Sequence, residues 1–160
     1  MGVGKSTIGR ALATRLGWAF ADTDVLVEQD EGRSIDAIFR ESGEGRFREL
    51  EWGALRALHG RRRVVVATGG GLFLGVPQRA FLREHGVSCW LDAPISVILE
   101  RVGGGSSRPL WPSDDVIARR AFFERRRAAY ALADVRVDVS ADDPEDRAAA
   151  VEAACRAFLL

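Results

Sequence analysis

Apolar positions along the chain follow two periods that alternate. In "KSTIGRALATRL" they recur at the three- and four-residue intervals of one helix face, which predicts a helix over about 5 to 16. A short strand at about 18 to 21 follows, then helices over about 24 to 30, 34 to 42 and 44 to 59. The run Val64 to Ala67 is continuously apolar and β-branched, as expected of a parallel strand covered on both faces, and it stops at Thr68 and three glycines. A helix over about 77 to 85, a strand at about 87 to 91 and a helix from Pro94 to about 102 come next, with Pro suited to a first turn. The stretch "GGGSSRPLWPS" sustains neither period and predicts a mobile loop. A helix over about 114 to 131, a strand at about 135 to 139 and a last helix, with Asp143 as cap and Pro144 just inside, complete the pattern.

Strands that alternate with helices predict an α/β fold with a parallel sheet and helices on both faces. A length of 160 residues suits one domain around one core, and no internal repeat divides it. The charge balance is even, with 23 basic and 23 acidic residues, so nothing global draws the chain to nucleic acid or to an anionic membrane. Only Cys89 and Cys155 are present, which predicts two buried thiols rather than a disulfide framework. No apolar run approaches a membrane span or a secretion signal, and the expected compartment is the cytoplasm.

Candidate chemistry starts at "MGVGKSTIGR", where Gly4, Lys5 and Ser6 form the second half of a phosphate-binding loop. Glycines let backbone N–H groups turn toward a phosphate, and the helix behind them adds partial positive charge. Lys5 has the charge to neutralise outer phosphates and Ser6 a hydroxyl for magnesium. The plainer reading is a glycine-rich lead into an ordinary helix. In "FADTDVLVEQD", Asp22 and Asp24 leave a short strand at the end where α/β proteins build their sites. Either could instead cap the next helix.

Further along, Arg48 lies beside an apolar stripe of Phe47, Leu50 and Ala54, where it could simply pair with Glu44 or Glu51 on its own helix. Phe122, Phe123, Arg126 and Tyr130 share a helix face, and a guanidinium there needs an anion, from a protein carboxylate or from a ligand. Arg125 and Arg127 point away and are expected to be solvated. Gly69, Gly70 and Gly71 follow the Val64 to Ala67 strand and offer either a tight turn or three open amides for a hydroxylated ligand.

Taken in order, "MGVGKSTIGRALA", "DTD", "SIDAIF…GEGRFRELE", "TGGG", "GGGSSRPL" and "RRRAAY" resemble the shikimate kinases from Gly2 to about Asp138. The resemblance implies a three-layer P-loop kinase fold that transfers a phosphoryl group from ATP to the 3-hydroxyl of shikimate, in the pathway to chorismate and the aromatic amino acids. By the same likeness Gly2, Val3, Gly4, Lys5, Ser6 and Thr7 would hold the nucleotide phosphates, and Ser6 and Asp22 would serve Mg2+. Lys5, Asp24 and Arg108 would be catalytic, Asp24 orienting the attacking hydroxyl and Arg108 closing a lid over about 103 to 113. Arg101 would lie against adenine. Arg48 and Arg126 would grip the substrate carboxylate, Gly69, Gly70 and Gly71 would touch the ring hydroxyls, and Phe39, Phe47 and Glu51 would line the pocket, within helices spanning about 24 to 59. The implied enzyme is a monomer without nucleic-acid or membrane partners, and Trp111 beside the lid would report its closure.

The chain departs from the family pattern in two places. The segment "DVSADDPED" offers Ala141 and Asp142 where the family often has an arginine near adenine, which predicts a looser hold on the base and more reliance on Arg101. In addition, the loop's first glycine and the central strand that leads into it are absent from these 160 residues. Buried backbone groups left unpaired cost on the order of 1 to 3 kcal/mol each, against a domain stability of about 5 to 15. The expectation is that about ten residues, enough for a strand and a turn, precede Met1. Other readings are a different P-loop kinase of acidic small molecules, a non-catalytic ligand-sensing domain, or an inactive truncated product.

Overall fold

The computed structural model describes residues 2–102, 116–140 and 143–158. The first helix, α1 (Lys5–Leu16), starts behind Gly4 at φ 90° and ends at Gly17 at φ 64°, left-handed conformations that glycine adopts without steric penalty. Strand β1 (Ala19–Asp22) then leads directly into α2 (Thr23–Glu31), which Asp22 caps through its side chain. The two expected helices after it form one run, α3 (Ile35–Ala57), broken at Gly43, whose φ of 76° and ψ of 174° are not helical.

Strand β2 (Val64–Ala67) is followed by a short 3-10 turn (Leu72–Leu74) and α4 (Val76–His85). The remaining elements are β3 (Cys89–Asp92), α5 (Ile95–Val102), α6 (Val116–Tyr130), β4 (Val135–Asp138) and α7 (Pro144–Cys155). Asp143 accepts from the Glu145 N–H, and Pro144 fills the first turn of α7, as the sequence predicts.

All strand pairing is parallel. The expected central sheet is instead divided in two among the described residues: β1 pairs only with β2, and β3 only with β4. The registers run Ala19 with Val64 and Cys89 with Val135. Both β2 and β3 line one cleft.

One core joins α1, α5, α7 and the β3–β4 pair through Ile8, Ile98, Val135, Val137 and Val151. A second, smaller one packs α2 on α3 through Val27, Ile38, Phe47 and Ala54. Both cysteines are free thiols; Cys155 is buried as expected, but Cys89 is only half-buried at the β3 edge. The adjoining Cys155 sulfur and burial together push the Cys89 thiol well above its usual range. Among the described residues no helix is long and apolar enough to cross a membrane.

Candidate active site

The ends of β1 and β2 and the start of α1 meet at one place, the carboxyl edge of a parallel sheet where ligands of α/β proteins bind. Gly4 holds the left-handed turn that aims the first amides of α1 outward, and a β-carbon on it would stand 3.3 Å from Nη1 of Arg147. Arg147, on α7, is buried beside the loop. Its position was not legible in the sequence, since it lies 143 residues beyond Gly4 and only tertiary packing joins them.

Ser6 donates through Oγ to Asp22 Oδ2 at 2.5 Å, and Asp22 Oδ1 accepts from the Asp24 N–H at 3.0 Å. Asp22 therefore caps α2, as its plainer reading had it, while its other oxygen meets the phosphate loop. Burial fixes this arrangement, because a carboxylate withdrawn from water is kept only where its oxygens find donors.

Beside this pair stand two carboxylates whose oxygens are not all paired. Asp24 Oδ1 and Glu51 Oε1 are buried without a hydrogen-bond partner among the described residues. They converge on Gly69: a β-carbon there would collide with Glu51 Oε1 and come to 3.0 Å from Asp24 Oδ1. Burial raises the Asp24 carboxyl above its ordinary range, opposed by the positive charge of Lys5 and reinforced by Asp22. Glu51 is raised for the same reason, opposed by its hydrogen bond to Arg48.

Arg48 makes both of the helix pairs its spacing allows, to Glu51 at 2.8 Å and to Glu44 at 3.2 Å. Those pairs do not remove it from the site, since its guanidinium lies where a β-carbon on Gly71 would be. Arg126 lies over the Phe122 ring at 3.8 Å from its centroid. Its charge also acts on Tyr130, whose hydroxyl is raised chiefly by burial and lowered by Arg126 and Arg48. Arg48, Glu51, Arg126 and Tyr130 thus share one neighbourhood.

The glycine turn is more committed than its sequence suggests. The Gly69 N–H donates to Thr23 Oγ1 at 3.1 Å, so it is not an open amide, and the Tyr130 hydroxyl donates to the Gly70 carbonyl at 2.6 Å. Neither partner was foreseen, although the place of Tyr130 on the Arg126 face was a usable signal. Arg127 is a second correction. It is half-buried rather than solvated, paired with Asp92 at 3.2 Å and set over Trp90 at 5.1 Å. Phe39 stacks on Phe47 at 4.8 Å, and Phe47 itself belongs to the α2–α3 core. The Arg101 side chain, Arg108, Trp111, the expected lid, Ala141 and Asp142 lie outside the described residues.

A half phosphate loop, two unsatisfied carboxylate oxygens and two arginines gathered around the glycine turn match a known group. The family model for shikimate kinase fits residues 1–156. The chain belongs to the shikimate kinase family. Among curated relatives, the shikimate kinase of Geobacter sulfurreducens is 46% identical over 147 residues, 91% of this chain and 81% of that one. The shikimate kinase of Microcystis aeruginosa is 43% identical over 148 residues, 91% of this chain and 77% of the relative.

Solved shikimate kinases carry the P-loop kinase fold of this chain across the divided sheet. The Acinetobacter baumannii shikimate kinase in complex with shikimate superposes with a TM-score of 0.92 at 32% identity, covering 100% of this chain and 90% of that one. The Aquifex aeolicus shikimate kinase gives 0.87 at 34% identity, covering 100% and 94%.

Proposed function

We propose that this chain transfers the γ-phosphoryl group of ATP to the 3-hydroxyl of shikimate, giving shikimate 3-phosphate and ADP in the pathway to chorismate. The observation that carries the proposal is the pair Asp24 Oδ1 and Glu51 Oε1, buried, unpaired and converging beside Gly69. Buried acceptors without donors are rare, and a ligand bearing several hydroxyls supplies the hydrogens they lack. Arg48 at the same place, with Arg126 nearby, supplies the charge for a carboxylate on that ligand.

Phosphoryl transfer asks the protein mainly for positioning and charge neutralisation. Asp24 accepts the proton of the attacking hydroxyl, and its raised affinity for a proton suits it to that task. Lys5 and the amides of Gly2 to Thr7 neutralise and hold the phosphates. Arg48 and Arg126 fix the acid end of the substrate so that the hydroxyl, not water, stands in line. Arg108 and Arg101 have the family's lid and adenine roles in this reading, and Phe39 and Phe47 shape the pocket wall.

The residues present fit Mg2+. Among the described residues no three His, Cys, Asp or Glu side chains cluster to enclose a cation, but Ser6 Oγ and Asp22 Oδ2 stand together at the loop. That is the sparse protein contribution expected of an ion held chiefly by nucleotide phosphates and water. Ser6 and Asp22 would hold the ion there, and its charge would help neutralise the nucleotide phosphates.

The deciding experiment is ADP release by the 160-residue chain with ATP, Mg2+ and shikimate, against controls lacking shikimate or carrying Lys5→Ala. Shikimate-dependent turnover that the Lys5→Ala variant lacks supports the proposal. A folded chain that binds shikimate calorimetrically but releases no ADP overturns it in favour of a ligand-binding domain. The proposed enzyme is a cytoplasmic monomer, and sedimentation at working concentration tests its oligomeric state.

A further inference from the structure

Among the described residues four polar side chains are buried: Asp22, Thr23, Glu51 and Arg147. The first three belong to the candidate site around the glycine turn. Arg147 stands apart from them on α7, with its guanidinium behind the phosphate loop, where a β-carbon on Gly4 would lie 3.3 Å from Nη1. The same β-carbon would meet the buried Ile8 side chain at 3.7 Å, so the guanidinium shares its seat with the core side of α1 rather than with water.

This is an unfavourable place for a cation standing by itself. The Arg147 N–H donates to the Asp143 carbonyl at 3.2 Å, which puts Arg147 in the opening turn of α7, and Gly4 is the N-cap of α1. Both helix ends carry partial positive charge, and Lys5 adds a full one at the next position of the loop. On α7 itself, Asp143 is engaged as the cap and Glu145 reaches out to Arg15 at 3.9 Å. A buried charge is kept where an anion or a set of acceptors compensates it, and here the surrounding positive ends all favour an anion in front of the loop. Arg147 is also the first basic residue after β4, so the stretch that leads into α7 offers a nucleotide no other cation.

We propose that Arg147 is a positioning residue for the nucleotide phosphates, a role that rests on the loop holding a nucleotide and not on which acceptor is phosphorylated. Its charge acts through the backbone of Gly4 and raises the affinity of the loop for the polyphosphate of ADP and ATP without touching it. Lys5 meets the phosphates from the front, and Arg147 supports the loop from behind.

The test is calorimetric titration of ADP into the whole chain and into the variants Arg147→Met, Arg147→Lys and Arg15→Met. Methionine keeps an unbranched side chain without the charge, and lysine keeps the charge without the planar fork. Arg15, 37% exposed in the last turn of α1, gives up the same charge at the far end of the helix. Arg147→Met is expected to bind ADP about 5- to 30-fold more weakly, while Arg147→Lys and Arg15→Met stay within about two-fold of the parent. Without nucleotide, the melting temperature of Arg147→Met is expected to hold or rise, because a cation leaves the positive ends of two helices. Affinity and stability then move apart, which a residue serving only the fold does not produce. Parent-like ADP binding by Arg147→Met, equal weakening in Arg147→Met and Arg147→Lys, or a lower melting temperature with ADP and shikimate weakened alike overturns the proposal. The expected pattern in a chain that phosphorylates no shikimate leaves the role of Arg147 standing and counts against the kinase reading alone. A chain that binds no ADP overturns both.

Discussion

Tyr130 reaches from the end of α6 to the glycine turn after β2 and donates its hydroxyl to the Gly70 carbonyl at 2.6 Å. The contact ties the helix that carries Arg126 to the turn that carries Gly69 and Gly71, so the two sides of the candidate pocket keep a fixed separation. Tyr130→Phe removes one hydrogen bond, worth about 0.5–1.5 kcal/mol, and leaves the ring in place. The expected outcome is a rise of roughly 2- to 13-fold in KM for shikimate with little change in KM for ATP. Equal changes in both constants would assign Tyr130 to general stability.

Asp24 gives a dependence on pH whose sign is fixed by burial. Its carboxyl is raised in the folded chain, so between the unfolded and folded values the native state holds the extra proton. Stability therefore falls as pH rises through that window, and the penalty persists above it. Asp24→Asn removes the penalty. The variant is expected to unfold at a higher temperature than the parent at neutral pH, by about 2–4 °C for each kcal/mol recovered, with the difference vanishing in acid. Turnover should drop by about 10²- to 10⁴-fold, the usual contribution of a general base. Thermal melts across pH, beside steady-state rates, check both halves.

Helical elements were legible because their signals are local. Gly17, the Asp143–Pro144 pair and the apolar intervals of α1 mark their own boundaries, and even the break at Gly43 falls where the pattern divides two helices. Parallel strand character was equally readable in Val64 to Ala67. Partners across the fold were not. Thr23 taking the Gly69 amide, Asp92 drawing in Arg127 and Arg147 standing under Gly4 each depend on a packing that no interval in the sequence encodes. Spacing brought Asp22 and Asp24 forward as a pair, but only burial separates them, one satisfied by Ser6 and its own helix and the other left with an open oxygen.

Gly69 and Gly53 make a matched test of close approach. A β-carbon on Gly69 would collide with Glu51 Oε1, whereas one on Gly53 meets nothing within 4 Å. Gly69→Ala must push Glu51 out of its seat, and shikimate-dependent turnover is expected to fall at least 100-fold, a displacement of order 1 Å being enough for such a loss. Gly53 lies in α3, where alanine is favoured over glycine by roughly 0.5–1 kcal/mol. Gly53→Ala should keep its turnover and melt slightly higher. A Gly69→Ala variant with parent-like turnover would show that Glu51 is not held against the turn.

Arg48 and Arg126 are assigned one task, yet their surroundings predict different failures. Arg48 holds Glu51, whose side chain is 1% exposed, at 2.8 Å. Removing one partner of a buried pair leaves the other charge uncompensated, which costs about 3–5 kcal/mol where the pair is fully enclosed. Arg48 itself is 27% exposed, so the expected loss lies at or below the lower end of that range. Arg126 rests on the Phe122 ring and holds no buried carboxylate among the described ion pairs, so Arg126→Ala is expected to leave the melting temperature nearly unchanged. Both should weaken shikimate, since a hydrogen bond to a charged group is worth about 1.5–3 kcal/mol, roughly 10- to 150-fold in KM. The separating variant is Arg48→Ala with Glu51→Gln, which removes the stranded charge. It should recover the melting temperature lost by Arg48→Ala while KM for shikimate stays high. Recovery of KM along with stability would mean that Arg48 acts only through the fold, and the carboxylate grip would fall to Arg126 alone.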